Sequence, residues 1–164
     1  MATLPSLPRL ATQLDGLPLL LGGFTPEALR RKSPSGKWSA QENLAHIARQ
    51  QEVFLSRVRR ILAEEGPALP QYRAEDDPGW PAWLALSTDE VVRRLHSARA
   101  ELIALLERLS PAELARTGTH SRFGPMSLEL WVEFFLDHEA HHLYTIFKRA
   151  RGADWCAVRA ATSA

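Results

Sequence analysis

The stretch LDHEAHHLYT, residues 136–145, carries three of the chain's six histidines within five positions. His138, Glu139 and His142 satisfy the H-E-x-x-H pattern of zinc proteases, in which two helical histidines bind zinc and the glutamate is the general base. The same residues are also a bare H-x-x-x-H, two ligands one helical turn apart that need a third from elsewhere. The first reading requires a substrate-binding strand and a downstream ligand. The second is satisfied inside a bundle of helices.

Working outward, the hydrophobic periodicity calls for helices almost throughout, and no segment alternates like a strand. Helix one is expected over Leu7 to Leu21 with a bend near Pro18, followed by a short capped turn at TPEALR (25–30). Helix two opens at WSAQE (38–42), where Ser39 and Glu42 form a capping box, and runs to about Glu65. Helix three opens at Ser87 and Glu90, and its stripe Leu95, Ala98, Leu102, Leu105, Leu109 has the three-four spacing of a bundle seam. SPAELA (110–115) repeats the short capped turn, and helix four follows GPMS and continues to about Arg151, ended by Gly152.

The link from Gly66 to Ser87 is proline-rich and carries Trp80 and Trp83. Stretched, such a chain spans roughly 65 Å, against about 38 Å for a helix of about 25 residues. It can therefore run the length of a bundle, leaving helices two and three parallel and the other connections antiparallel, with its tryptophans packed as a lid. The fold class is all-α, a four-helix bundle with a long crossover between helices two and three. The bundle is expected over 1–152, with 153–164 as a C-terminal tail.

The whole chain narrows the function classes. Its 164 residues suit one domain, and 20 basic against 19 acidic residues, with no run of either sign, leave no phosphate-tracking stripe, so no nucleic-acid partner is expected. The N-terminus has no basic leader before an apolar stretch and LPLLL (17–21) is too short to cross a bilayer, so a cytoplasmic protein without a membrane partner is expected. The single cysteine, Cys156, fits a reducing compartment and is read as an unremarkable thiol of the tail.

On a helical wheel at about 100° per residue, with Leu128 at zero, the apolar residues of helix four fill an arc from about 240° through zero to about 100°. His138 and His142 fall inside it at about 280° and 320°, whereas His141 falls on its edge at about 220°. Glu139 lands at about 20°, also inward, and a carboxylate facing a core costs several kcal/mol unless it is paired or metal-linked. His96 lies off the helix-three stripe and His120 lies in the polar loop TGTHSRFG (117–124), so both are expected to be solvated.

The zinc-protease reading fails on context: Asp154 is the sole acid after His142 and no strand is readable. A carboxylate-bridged di-iron bundle fails because Glu139 to His142 is the only Glu-x-x-His pair. The third ligand must come from another helix, and the candidate is His46 in KWSAQENLAHI (37–47). It sits about 10 Å into helix two, and His142 about 14 Å from the end of helix four, so the levels match if the two helices are antiparallel neighbours. On its own wheel, however, His46 lies about 60° outside the apolar stripe of helix two, the position of a surface residue.

These segments together resemble the DinB-like (YfiT-like) family of metal-binding four-helix bundles. GKWSAQENLAHI (36–47) is similar to the family's tryptophan-serine opening with a glutamate four residues before a histidine, and HEAHHLYTI (138–146) to its second motif. With the helix order and the long second connection, the resemblance covers about residues 7 to 151. It implies His46, His138 and His142 as ligands of a divalent metal ion, and Glu42 as the family glutamate, whose place in the capping box already explains it structurally. Three neutral imidazoles leave zinc or nickel with open positions, as in a catalytic site. Some relatives are S-transferases of low-molecular-weight thiols such as bacillithiol or mycothiol, and others are described only as metal-dependent hydrolases.

The expectation is a metal-dependent enzyme acting on a small-molecule substrate, either transferring such a thiol to an electrophile or hydrolysing, with Glu139 as candidate catalytic base or ligand orienter. The alternative from another class is a stress-associated metal-binding or dimeric scaffold without turnover. The assembly is left open, with a homodimer as one form.

Overall fold

The computed structural model describes residues 4–152; the tail 153–164 and Cys156 lie outside the described residues. Helix one is two short helices, α1 (Leu7–Thr12) and α2 (Leu17–Leu21). The break is sharper than a bend because Gly16 is the N-cap of α2 and Pro18, which has no N–H to donate, sits in its first turn. α3 (Pro26–Arg30) is capped by the Thr25 hydroxyl, which accepts from the Ala28 N–H at 3.2 Å. α4 (Ala40–Ala63) begins with the capping box, the Glu42 N–H donating to Ser39 Oγ at 3.1 Å and the Ser39 N–H to Glu42 Oε2 at 2.8 Å. The crossover holds strand β1 (Ala68–Leu69), a 3-10 turn (Ala74–Asp76) and α5 (Trp80–Ala85); then follow α6 (Thr88–Leu106), α7 (Pro111–Leu114), β2 (Thr117–His120), β3 (Gly124–Ser127) and α8 (Leu128–Ala150).

The expectation of no strand is corrected. β1, β2 and β3 form a small sheet in that order, β1 parallel to β2 and β2 antiparallel to β3. Strands of two and four residues are too short to display the alternation that identifies a strand in sequence. Tertiary contacts hold them instead: Trp131 Nε1 donates to the Gly118 carbonyl at 3.0 Å and Arg116 Nε to the Ile61 carbonyl at 2.8 Å. A Cβ on Gly118 would stand 2.7 Å from Leu69 Cδ1 and 2.9 Å from Ile61 Cγ1, so only glycine lets β2 lie this close to β1 and α4.

Side-chain ladders fix the helix directions. Along α4, His46 meets His142, Phe54 stacks on Phe135 and Arg57 covers Trp131, so α8 runs antiparallel to α4. Gln41 bonds Thr88, Gln51 bonds Arg99 and Arg59 pairs with Glu101, so α6 runs parallel to α4, the arrangement the long link allows. Arg9 pairs with Glu133 and Gln13 bonds Glu139, so α1 runs with α8. No helix among the described residues is long and apolar enough to cross a membrane.

The core is in two parts. One contains Leu10, Phe54, Val58, Ile61, Leu102, Leu106, Leu128, Trp131 and Phe135. The other contains Leu14, Leu17, Leu44, Ile47, Trp80, Trp83, Val91, Leu95 and Ile146. Between them α4, α6, α8 and the C-cap of α1 each contribute a polar residue at the same level: Gln51, Arg99, Glu139 and Gln13. Arg99 pairs with Glu139 Oε1 and donates to Gln51 Oε1 and to the Leu10 carbonyl, each at 2.7 Å, while Gln13 Nε2 donates to Glu139 Oε2 at 2.8 Å. The side chains of Arg99 and Glu139 are 4% and 1% exposed, so each charge depends on the other. Glu139→Gln strands the guanidinium and should cost about 3–5 kcal/mol in urea unfolding, whereas Arg99→Met with Glu139→Leu should recover most of that loss. A Glu139→Gln protein as stable as the parent would contradict this account.

Candidate metal centre

His46, His138 and His142 come together, each offering one ring nitrogen, with those nitrogens all within 4.8 Å of one another. His46 Nε2 and His138 Nε2 are 3.5 Å apart. The ring centroids are separated by 4.4 Å for His46 and His142, 5.3 Å for His46 and His138, and 4.6 Å for His138 and His142. The helical i, i+4 spacing supplies the α8 pair, and antiparallel packing brings α4 to the same level.

His46 is only 5% exposed, although its wheel position is that of a surface residue. The crossover covers it. Trp38 lies 5.0 Å from its ring, Trp80 6.4 Å, and Tyr72 is stacked on it at 5.8 Å. The link is fastened there by Asp77, which pairs with Arg49 of α4 at 2.6 Å, accepts from Tyr72 Oη at 3.1 Å and accepts the Gly79 N–H at 2.8 Å. Trp80 and Trp83 are both buried, Trp80 against the site and Trp83 under the Arg94 guanidinium.

Asn43, three residues before His46 and on the same face of α4, was not singled out by the sequence reading. Its Oδ1 lies 2.8 Å from His142 Nδ1, and its Nδ2 donates to the Ser39 carbonyl at 2.7 Å. The amide is therefore oriented with oxygen toward the ring, so His142 carries its proton on Nδ1 and presents the Nε2 lone pair. A polar residue one helical turn from a candidate ligand was the available signal.

Burial pushes all three imidazoles down. His46 falls to about 3 from burial and then His138; His138 to about 4 from burial, then His141 and Arg57; His142 to about 2 from burial and then the neighbouring histidines. At neutral pH each is uncharged with a lone pair, the form that binds a metal. Nδ1 of His46 and of His138 are buried without a protein hydrogen-bond partner, so neither ring is committed to a second side chain. The residues present fit a divalent ion. Among the described residues the cluster has no fourth histidine, cysteine or carboxylate, and three imidazoles make a set with open positions, the arrangement of catalytic rather than structural zinc.

Glu139 neighbours His138 in sequence but stands outside this cluster, both of its oxygens engaged by Arg99 and Gln13. His141 and His96 are exposed, as expected. His120 is corrected: it is 4% exposed, on β2, and its Nδ1 accepts the N–H groups of Arg122 at 3.0 Å and Phe123 at 3.3 Å. The polar composition of its loop concealed a hairpin that folds the ring inward against Phe123, Phe134 and Trp131.

A helical bundle with a three-histidine cluster on α4 and α8 defines a class of metal-site bundles. Residues 9–146 match the DinB superfamily, and the chain belongs to it. A protein of Oceanobacillus iheyensis named "Putative metal-dependent hydrolase OB0782" is 26% identical over 152 residues, covering 87% of this chain and 85% of its own. YuaE of Bacillus subtilis, an uncharacterized protein, is 26% identical over 135 residues, covering 75% of this chain and 83% of its own. The solved structure of YfiT from Bacillus subtilis, described as a probable metal-dependent hydrolase with an unusual four-helix bundle topology, superposes with a TM-score of 0.76 at 19% identity, covering 88% of this chain and 83% of that one.

The lowered histidine pKa values set a pH dependence for the metal-free protein. Unfolded imidazoles take up protons near pH 6.5, while the folded ones stay neutral to about 4 or below. The stability they contribute is complete above about pH 6.5 and declines as the pH falls through that window. Melting temperatures from pH 7.5 to 4.5 should drop for the parent and drop less for His142→Leu. Parallel curves would show that the cluster is not held neutral.

Proposed function

We propose that the chain is a metal-dependent enzyme in which His46, His138 and His142 hold one divalent ion, zinc or nickel, and that it transfers a low-molecular-weight thiol of the bacillithiol or mycothiol type to an electrophile. The observation that carries this reading is the convergence of three neutral imidazoles at the edge of a cavity that His138 helps to line. A scaffold gains nothing from open coordination positions beside a cavity. The ion supplies Lewis acidity there, lowering the pKa of a thiol or water that binds it.

This chain's own residues have distinct tasks. The histidines present lone pairs, Asn43 holds His142 in one tautomer, and Trp38, Tyr72 and Trp80 exclude water from the His46 side. Glu139 supports the site by fixing α8 through Arg99 rather than by taking a proton, because both of its oxygens are already engaged. Among the described residues the cluster has no carboxylate, and a thiol suits the site, since an ion held there would favour the thiolate without a separate base. Hydrolysis at the same ion is the second reading, favoured by the names given to relatives.

Purified protein should bind about one divalent ion per chain, the stoichiometry of one three-ligand site. His142→Ala should abolish binding, His141→Ala should not, and Asn43→Ala should weaken it about 10- to 100-fold. Metal analysis and competition with a chromophoric chelator measure all three. Zinc- and nickel-loaded protein should then accelerate conjugation of a thiol to an electrophile above its effect on ester hydrolysis. Full metal retention by His142→Ala would overturn the ligand set, and hydrolysis without conjugation would select the second reading.

A further inference from the structure

Beside His138 lies a cavity of about 210 Å³ with an unusual lining: Arg57, Arg122, His120 and Gln50 among Phe123 and Phe134, and no carboxylate. Arg57 is the informative residue. It is 7% exposed, yet it forms no ion pair with any described acidic residue; its contacts are one hydrogen bond from Nη2 to the Pro70 carbonyl at 2.5 Å and the face of Trp131 at 5.6 Å. The other buried cation among the described residues, Arg99, is answered by Glu139. A guanidinium has five N–H donors in a planar fork, and burying it without a counter-charge is costly. It lines two cavities, this one and a larger groove that also touches Arg49, Glu52, Asp76 and Asp77. In the larger groove Glu52 and Asp77 pair with Arg49, and Asp76 forms no ion pair with Arg57.

Two further groups at the cavity are a donor and a cation, His120 and Arg122. The two backbone N–H groups that bond His120 Nδ1 leave Nε2 with the proton and with no protein acceptor. Gln50, 8% exposed, is the exception, its buried amide oxygen having no protein hydrogen-bond partner. Arg122 adds a second cation at the mouth, beside the exposed Phe123. Burial, Arg57 and Arg122 together push the His120 pKa down, which places both cations near this ring.

We infer that this cavity is the subsite for a carboxylate group of the substrate, held by Arg57 with Arg122 and His120, with a short apolar body against Phe123 and Phe134 and its reacting end directed to His138. The inference rests on the proposed metal site for that last clause alone. A carboxylate matches the fork of Arg57 bidentately, which a neutral amide of the same shape cannot do. It also supplies the counter-charge that the fold leaves out, so binding and the neutralisation of Arg57 are one event.

The test uses benzoate and its neutral isostere benzamide, titrated by calorimetry and by amide chemical shifts into the full chain, metal-free and zinc-loaded. Benzoate should bind metal-free protein and benzamide should not. Arg57→Met should weaken benzoate at least ~10-fold and Arg122→Ala about 3-fold or more, the loss of charge-assisted hydrogen bonds. Because Arg57 has no acidic partner to strand, Arg57→Met should melt at or above the parent temperature. Equal binding of benzoate and benzamide, benzoate affinity unaffected by both substitutions, or collapse of Arg57→Met with Arg122→Ala neutral would each overturn the subsite. Inorganic phosphate binding tighter than benzoate with the same Arg57 dependence would overturn the carboxylate assignment. The two readings fail separately: Arg57-dependent benzoate binding in a protein that takes no zinc sinks the metal site and keeps the anion subsite, and full zinc loading without benzoate binding does the reverse.

Discussion

The buried ion pair between Arg99 and Glu139 ties α1, α4, α6 and α8 together at one level of the bundle. Apolar contacts alone would let α8 turn or slide by small amounts at little cost, because Leu, Phe and Ile surfaces are tolerant of shifts in register. A charge pair that is satisfied only in one geometry is not tolerant, since any displacement leaves both charges buried and unanswered. Glu139 follows His138 directly, so fixing its direction also fixes the rotation of α8 that turns His138 and His142 toward α4. The pair belongs to the site's architecture even though it stands outside the histidine cluster.

The second determinant is the crossover. Its length follows from topology, because parallel α4 and α6 require the chain to return along the bundle. Its sequence gives it a further task. Asp77 fastens it to Arg49, and from that anchor Tyr72 and Trp80 close over His46 while Pro70 accepts from Arg57. One segment thus walls the histidine cluster on one side and holds the guanidinium on another. The β2–β3 hairpin completes the enclosure by placing His120 and Phe123 opposite, pinned through the bond from Trp131 to Gly118.

The bundle, its helix directions and the inward positions of His138, His142 and Glu139 could be read from periodicity, caps and the length of one link. These depend on patterns of regular spacing within one helix, which sequence carries directly. The burial of His46 could not be read from its own helix, because the rings that cover it come from outside it, Tyr72 and Trp80 of the irregular crossover and Trp38 ahead of α4. His120 was concealed for the same reason: its hairpin is too short to show alternation, and its loop is polar in composition. Glu139 shows the opposite limit, since the wheel revealed that its charge needed a partner and could not reveal that the partner is Arg99. Asn43 had only its position one turn from His46 to mark it, and Arg57 had nothing, since an arginine in an amphipathic helix is ordinarily solvated.

In the proposed site α4 and α8 deliver three imidazoles to a single ion. X-ray absorption at the zinc edge of the loaded protein reads the ligand shell directly. Scattering from three imidazole rings per zinc, with the remaining shell filled by light non-imidazole atoms and no sulfur, is the predicted result. Two imidazoles or fewer, or a sulfur ligand that could come only from Cys156 or a methionine, would contradict it.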